Sequence, residues 1–143
     1  MVSLIGLELW DKALGTSDTA LQMRDEALNY YHQGIIYQKK NNDAVARRQL
    51  EKAVTKDKSL SPARLELAKV LVRMGDVNSA LGQCNMVIQQ EPKNVEAYLA
   101  RAMVFETKLD YTAAINDIST VILLEPAKKI HYVNRGMLYQ KFN

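Results

Sequence analysis

The residues of this chain able to do chemistry are few and scattered. The two histidines, His32 and His131, stand far apart, and neither has a second histidine or a cysteine at metal-ligand spacing. The single cysteine, Cys84, falls on a core position between helices with no basic residue placed to lower its pKa, so it reads as a buried structural thiol. Asp25 and Glu26 could offer paired carboxylates, yet adjacent residues on a helix diverge. No glycine-rich phosphate loop and no G-x-S-x-G occurs. Both histidines read as ordinary surface or groove residues. The expectation is therefore no catalysis, no cofactor and no metal, which leaves a binding role.

A binding surface needs a scaffold, and composition says what kind. The 143 residues suit one domain with a sizeable core. Hydrophobic residues are 48% and charged residues 24%, the balance of an ordinary globular protein. With only 6 glycines and 3 prolines among many Leu, Ala, Lys, Gln and Glu, the chain favours an all-helical class with few long loops. A net charge of +3 is weak evidence for a polyanionic partner. One cysteine excludes an internal disulfide and favours a reducing, intracellular and cytoplasmic setting. No window of 18 uncharged apolar residues occurs, so membrane insertion is not expected. The opening "MVSLIGLELW" is apolar, but it lacks a basic n-region and is broken by Glu8 and Asp11. It reads as a helix and not as a signal peptide.

The strongest feature is internal repetition with a period of 34 residues. A small residue recurs as Gly34, Ala68, Ala102 and Gly136. Three places later stand Tyr37, Leu71, Phe105 and Tyr139; four places before it stand Tyr30, Arg64, Tyr98 and Tyr132. A second set runs Ala46, Ala80, Ala114, then Leu50, Cys84, Ile118, then Ala53, Val87, Val121. The turn before the next unit holds Lys58, Pro92 and Pro126. Small residues at these places let two helices approach, and the large residue one turn on fills the gap. This pattern resembles the tetratricopeptide repeat. The resemblance covers 27–60, 61–94 and 95–128 as whole repeats and 129–143 as the first helix of a fourth. Lys58 and Arg64 depart from the family pattern, as do Gln33, Arg101 and Arg135 at a place that is usually apolar.

The resemblance implies an all-α, right-handed superhelical α-solenoid of antiparallel helix pairs. Helices are expected near 3–14, 18–40, 43–56, 61–73, 77–90, 95–107, 111–124 and 129–141. Residues 17–143 form the array, and 1–16 form a capping helix or the remnant of an earlier repeat. The array itself is expected to be part of a longer solenoid. Otherwise the edge at Tyr132, Gly136 and Tyr139 pairs with another chain or is loosely held.

In the family, the first helices of successive units line a concave groove. Carried over residue by residue, the groove holds Tyr31, Ile35, Gln38 and Lys39, then Leu65, Lys69, Val72 and Arg73. The later units add Leu99, Met103 and Glu106, then Val133, Met137 and Gln140. An apolar strip with two methionines suits an adaptable surface for a protein or peptide segment, unless residues 1–14 fold back over it. Some family members clamp the terminal carboxylate of chaperone tails. The positions that clamp uses hold Tyr31, Ile35, Glu66, Glu96 and Ala100 in one register, and Leu65, Lys69, Ala100, Ile130 and Asn134 in the next. Neither supplies the required Lys, Asn and Arg set, and Glu66 and Glu96 repel a carboxylate, so no chaperone tail is expected.

A second candidate surface is basic: Arg48, Lys52 and Lys56 lie four apart on one helix face, with Arg47 and Lys58 beside them. It reads as a solvated face or as a docking stripe for an acidic partner. Nucleic acid is disfavoured, because no aromatic residues interleave the basic ones over 43–58. Three roles result. The first is an interaction scaffold or adaptor working through the groove. The alternative is a structural section of a larger assembly joined through its ends. The third, and weakest, is nucleic-acid binding by the basic helix. The partner and pathway are not legible in the residues.

Overall fold

The computed structural model describes residues 19–143, with side chains from 22 onward. The expected helix over 3–14 lies outside the described residues. Seven α-helices and no strand occur among the described residues. They are α1 (Thr19–Lys39), α2 (Asp43–Lys56), α3 (Ser61–Arg73), α4 (Val77–Gln90), α5 (Val95–Thr107), α6 (Tyr111–Leu124) and α7 (Lys129–Phe142). Each bound falls within a residue of the expectation from the sequence.

The turns between paired helices repeat as strictly as the helices. α1 ends with Asn41 in the left-handed region at φ 58°, α3 is followed by Gly75 at φ 86°, and α5 by Leu109 at φ 61°. These three positions are 34 apart. In each copy the left-handed residue and its successor donate back to the helix end. Asn41 and Asn42 donate to the Gln38 and Tyr37 carbonyls, both at 2.9 Å. Gly75 and Asp76 donate to Val72 and Leu71, and Leu109 and Asp110 to Glu106 and Phe105. This is the Schellman arrangement, which satisfies carbonyls that a helix end would leave orphaned. The successor then caps the next helix. Asn42 Oδ1 accepts from the Val45 N–H at 3.3 Å, Asp76 from Ser79 at 3.2 Å and Asp110 from Ala113 at 3.1 Å.

The chain divides into two compact units, Met1–Val70 and Leu71–Asn143, with the division inside α3. In the first unit α1 packs on α2, and Ala27, Ala46, Leu50 and Ala53 are buried. Gly34 is the point of closest approach: a Cβ there would lie 2.6 Å from Leu50 Cγ and 2.7 Å from Leu50 Cδ2. In the second unit α5 packs on both α4 and α6, and α6 on α7. Its core gathers Ala102, Ala114, Ile115, Ile118, Ile122 and Leu138, with Leu99, Phe105 and Tyr111 packed against them.

Candidate protein-interaction surfaces

The second unit holds an apolar cleft of about 330 Å³. Leu99, Met103 and Glu106 of α5 reach it from one side, Met137, Leu138 and Lys141 of α7 from the other, and Ile118 of α6 also lines it. Four residues assigned to the groove from the sequence, Leu99, Met103, Glu106 and Met137, thus meet in one place. Val133 does not line the cleft but stands 54% exposed one turn before Met137, which is 53% exposed. At the rim Lys141 Nζ bonds the Glu106 carboxylate. That hydrogen bond raises the lysine's pKa above its ordinary value. The cleft can therefore offer thioether and aliphatic surface to a guest, with one ion pair at its edge.

The remaining groove residues lie outside this cleft. Tyr31 and Ile35 are half-buried and Lys39 is exposed. Burial, and then the Glu66 carboxylate, push the Tyr31 hydroxyl's pKa up. Glu66 is held in turn by Lys69 Nζ at 2.8 Å and by Gln38 Nε2 at 3.2 Å. Leu65 departs from the expected exposed strip: it is 7% exposed and offers almost nothing to a partner. Val72 is half-buried and Arg73 exposed.

No family model matches the sequence, and no curated protein matches it. Solved structures do match in shape. The first TPR of Spaghetti (RPAP3), bound to the HSP90 peptide SRMEEVD, aligns with a TM-score of 0.75 at 20% identity, covering 82% of this chain and 93% of that one. The Arabidopsis OM64 TPR domain aligns with a TM-score of 0.74 at 20% identity, covering 82% and 98%. YrrB, described as a TPR protein with an unusual peptide-binding site, aligns at 0.72 and 18%, covering 92% and 82%. The chain has the tetratricopeptide-repeat fold.

Within that fold, the arginines that depart from the family pattern find partners. Arg101 places Nε 2.9 Å and Nη2 2.6 Å from the two carboxylate oxygens of Asp117 on α6, and its Nη1 donates to Asn85 Oδ1 at 3.1 Å. Asp117 is buried, so a bidentate pair substitutes for the usual apolar contact. Arg64 donates from Nε to the Lys58 carbonyl at 3.0 Å. The reading of His131 as a surface or groove residue is corrected. It is buried, with Nε2 2.8 Å from Glu125 Oε2 and Nδ1 without a hydrogen-bond partner. Neither Asp117 nor Glu125 drew attention in the sequence. For Glu125 the signal available was its place in the repeat, since Asp57, Glu91 and Glu125 recur 34 apart at the helix ends; Asp117 had none, since Gln49 and Gln83 hold its place in the earlier copies.

Two residues of the basic cluster are paired with acidic neighbours. Arg47 Nε lies 2.8 Å from Glu51, and Lys56 Nζ lies 3.2 Å from Glu26. Lys52 sits over the Tyr30 ring at 5.4 Å, and Arg48, Lys52 and Lys58 stay exposed. Such surface pairs add little stability but cancel part of the field a polyanion would follow. Cys84 is fully buried, and burial pushes its pKa up to about 11 against the pull of Arg101. It is a neutral thiol at pH 7. Among the described residues no group of three or more His, Cys, Asp or Glu is arranged to hold a metal, and no helix is long and apolar enough to cross a membrane.

Proposed function

We infer that this chain is a non-catalytic interaction scaffold that holds a partner's segment in the cleft between α5 and α7. The observation that supports it is the cluster of solvent-exposed apolar side chains around that cleft, Met103, Val133 and Met137. Large apolar groups gathered at one concave place usually mark an interaction site, and methionines tolerate varied guests. A lone cysteine without a disulfide suits a reducing intracellular compartment.

The RPAP3 neighbour holds an HSP90 peptide, and shape alone would extend that ligand to this chain. The residues argue otherwise. Glu66 stands at a clamp position as a carboxylate already paired with Lys69, and Glu96 is exposed. A tail ending in carboxylates meets like charge there. The guest is instead an apolar segment.

Capture from native lysate by the wild type and by a Met103→Glu/Met137→Glu form tests this. Both residues are exposed, so circular dichroism and the thermal midpoint should not change. The expected result is a partner present with the wild type and lost with the variant. Capture of the same partner at the same yield by both overturns the groove reading. A second reading, a structural section joined through α7, is favoured by the exposed aromatic face of that helix.

A further inference from the structure

We propose that Met103 and Met137 form a reversible oxidation site, at which hydrogen peroxide shuts the α5–α7 cleft to its guest and a dithiol reductase restores it. This rests on the groove reading above and adds how that groove is regulated.

Two thioethers reach one cleft from two helices. Met103 of α5 and Met137 of α7 both line it, and they are 37% and 53% exposed. They hold the same place in the repeat, 34 apart, where the earlier copies carry Ile35 and Lys69. The remaining apolar lining is harder to reach. Leu99 is half-buried, Ile118 and Leu138 are buried, and none of the three carries a sulfur. The lining most open to a guest is therefore also the part that a peroxide can alter.

The step needs one molecule of peroxide per sulfur. A sulfur lone pair attacks one peroxide oxygen, the O–O bond breaks and an S–O bond forms. The proton of the transferred oxygen goes to the departing hydroxide, which leaves as water. Sulfur loses two electrons and the peroxide gains them. In the reverse step a dithiol removes the oxygen as water and becomes a disulfide. The product, methionine sulfoxide, is polar where the thioether was apolar.

The new oxygen acts on binding and not on folding. In the free chain water donates to it, because both side chains are exposed. A guest strips that water away. The side-chain donors lining the cleft are the Asn134 amide and Lys141, and Lys141 is already engaged with Glu106. A sulfoxide oxygen covered without a donor opposes binding, and the apolar contact of the thioether is lost as well. Met23, Met74 and Met86 are exposed to a similar degree but do not line this cleft, so their oxidation should leave it unchanged.

The probe is Nile red, a neutral apolar dye, titrated into the full chain and read by fluorescence before and after hydrogen peroxide. Peptide mass spectrometry follows the oxygen gained at each methionine. The wild type should bind the dye, and oxidation of both sulfurs should weaken binding at least about fivefold with unchanged circular dichroism. Methionine sulfoxide reductases A and B, one for each sulfoxide epimer, should restore binding in the presence of dithiothreitol. Met103→Leu/Met137→Leu should bind as the wild type does and keep that binding after peroxide, although Met23, Met74 and Met86 gain oxygen. Binding that survives oxidation of both sulfurs overturns the proposal. So does an equal loss in the double leucine variant, a chain that unfolds on oxidation, or peroxide that leaves both sulfurs untouched. The Met103→Glu/Met137→Glu form keeps this separate from the groove reading. If that form loses the dye while the oxidised wild type keeps it, the oxidation site alone fails. If that form binds the dye as the wild type does, or the wild type binds none, the groove and the oxidation site fail together.

Discussion

Arg64 Nε donates to the Lys58 carbonyl at 3.0 Å, and this is the bond that the Tyr98 hydroxyl makes to the Pro92 carbonyl at 2.8 Å. Tyr132 reaches the Pro126 carbonyl at 3.4 Å. Three copies thus tie the start of a first helix to the same carbonyl six residues back. The arginine is buried, and burial lowers its pKa from the usual guanidinium value, so this bond carries weight. Arg64→Met should cost about 1–3 kcal/mol in urea unfolding by leaving a carbonyl short of its donor. Tyr98→Phe, whose bond is exposed, should cost about 0.5–1 kcal/mol.

Gly34 and Gly136 occupy the same repeat position, yet alanine should act with opposite sign. At Gly34 the new Cβ meets the buried Leu50 at 2.6 Å, and overpacking of that kind costs about 1–3 kcal/mol. At Gly136 the Cβ meets nothing, so helix propensity should stabilise the free chain by about 0.5–1 kcal/mol. Thermal midpoints moving in opposite directions would be the expected record.

Leu109 holds a left-handed backbone that Gly75 holds in the preceding copy. The leucine side chain is 70% exposed, so little packing is lost with it. Leu109→Gly should stabilise by about 0.5–1 kcal/mol, and Gly75→Ala should destabilise by about 1 kcal/mol. Denaturant midpoints of the two variants check the pair.

The Arg101–Asp117 pair predicts strong coupling. Asp117→Leu alone leaves a cation without its partner and should cost about 3–5 kcal/mol. Adding Arg101→Met should recover most of that loss, because an apolar pair of matched volume replaces a desolvated ion pair. Additive losses in the double-mutant cycle would contradict this account.

Glu125 joins α6 to α7 through His131. The hydrogen bond from His131, and next the one from Lys128, hold its pKa below the ordinary 4.5. A depressed folded-state pKa gives stability that is present above pH 4.5 and is lost as pH falls through the folded value. The protection of the α7 amides relative to their intrinsic exchange should therefore fall in acid below about pH 4.5. Glu125→Gln should show lower protection already at neutral pH and a flatter acid limb.

The helices were legible in the sequence because their causes are local. Apolar spacing, small residues, caps and prolines recur every 34 residues, and each copy confirms the others. The resemblance to the tetratricopeptide repeat rested on that recurrence, and the resemblance in turn implied groove places for Leu99, Met103 and Met137. Only the tertiary structure decided which side chains meet. Arg101 reads as a mismatch at a usually apolar place until Asp117 comes over it from a second helix. His131 looks exposed until Glu125 lies 2.8 Å away. Leu65 sits at a groove position and is buried, while Arg47 and Lys56 look like a free charge stripe and are paired with Glu51 and Glu26. The physical reason is common to all of them. Helix formation depends on neighbours within a turn or two, whereas burial and charge pairing depend on which helix lies across the face.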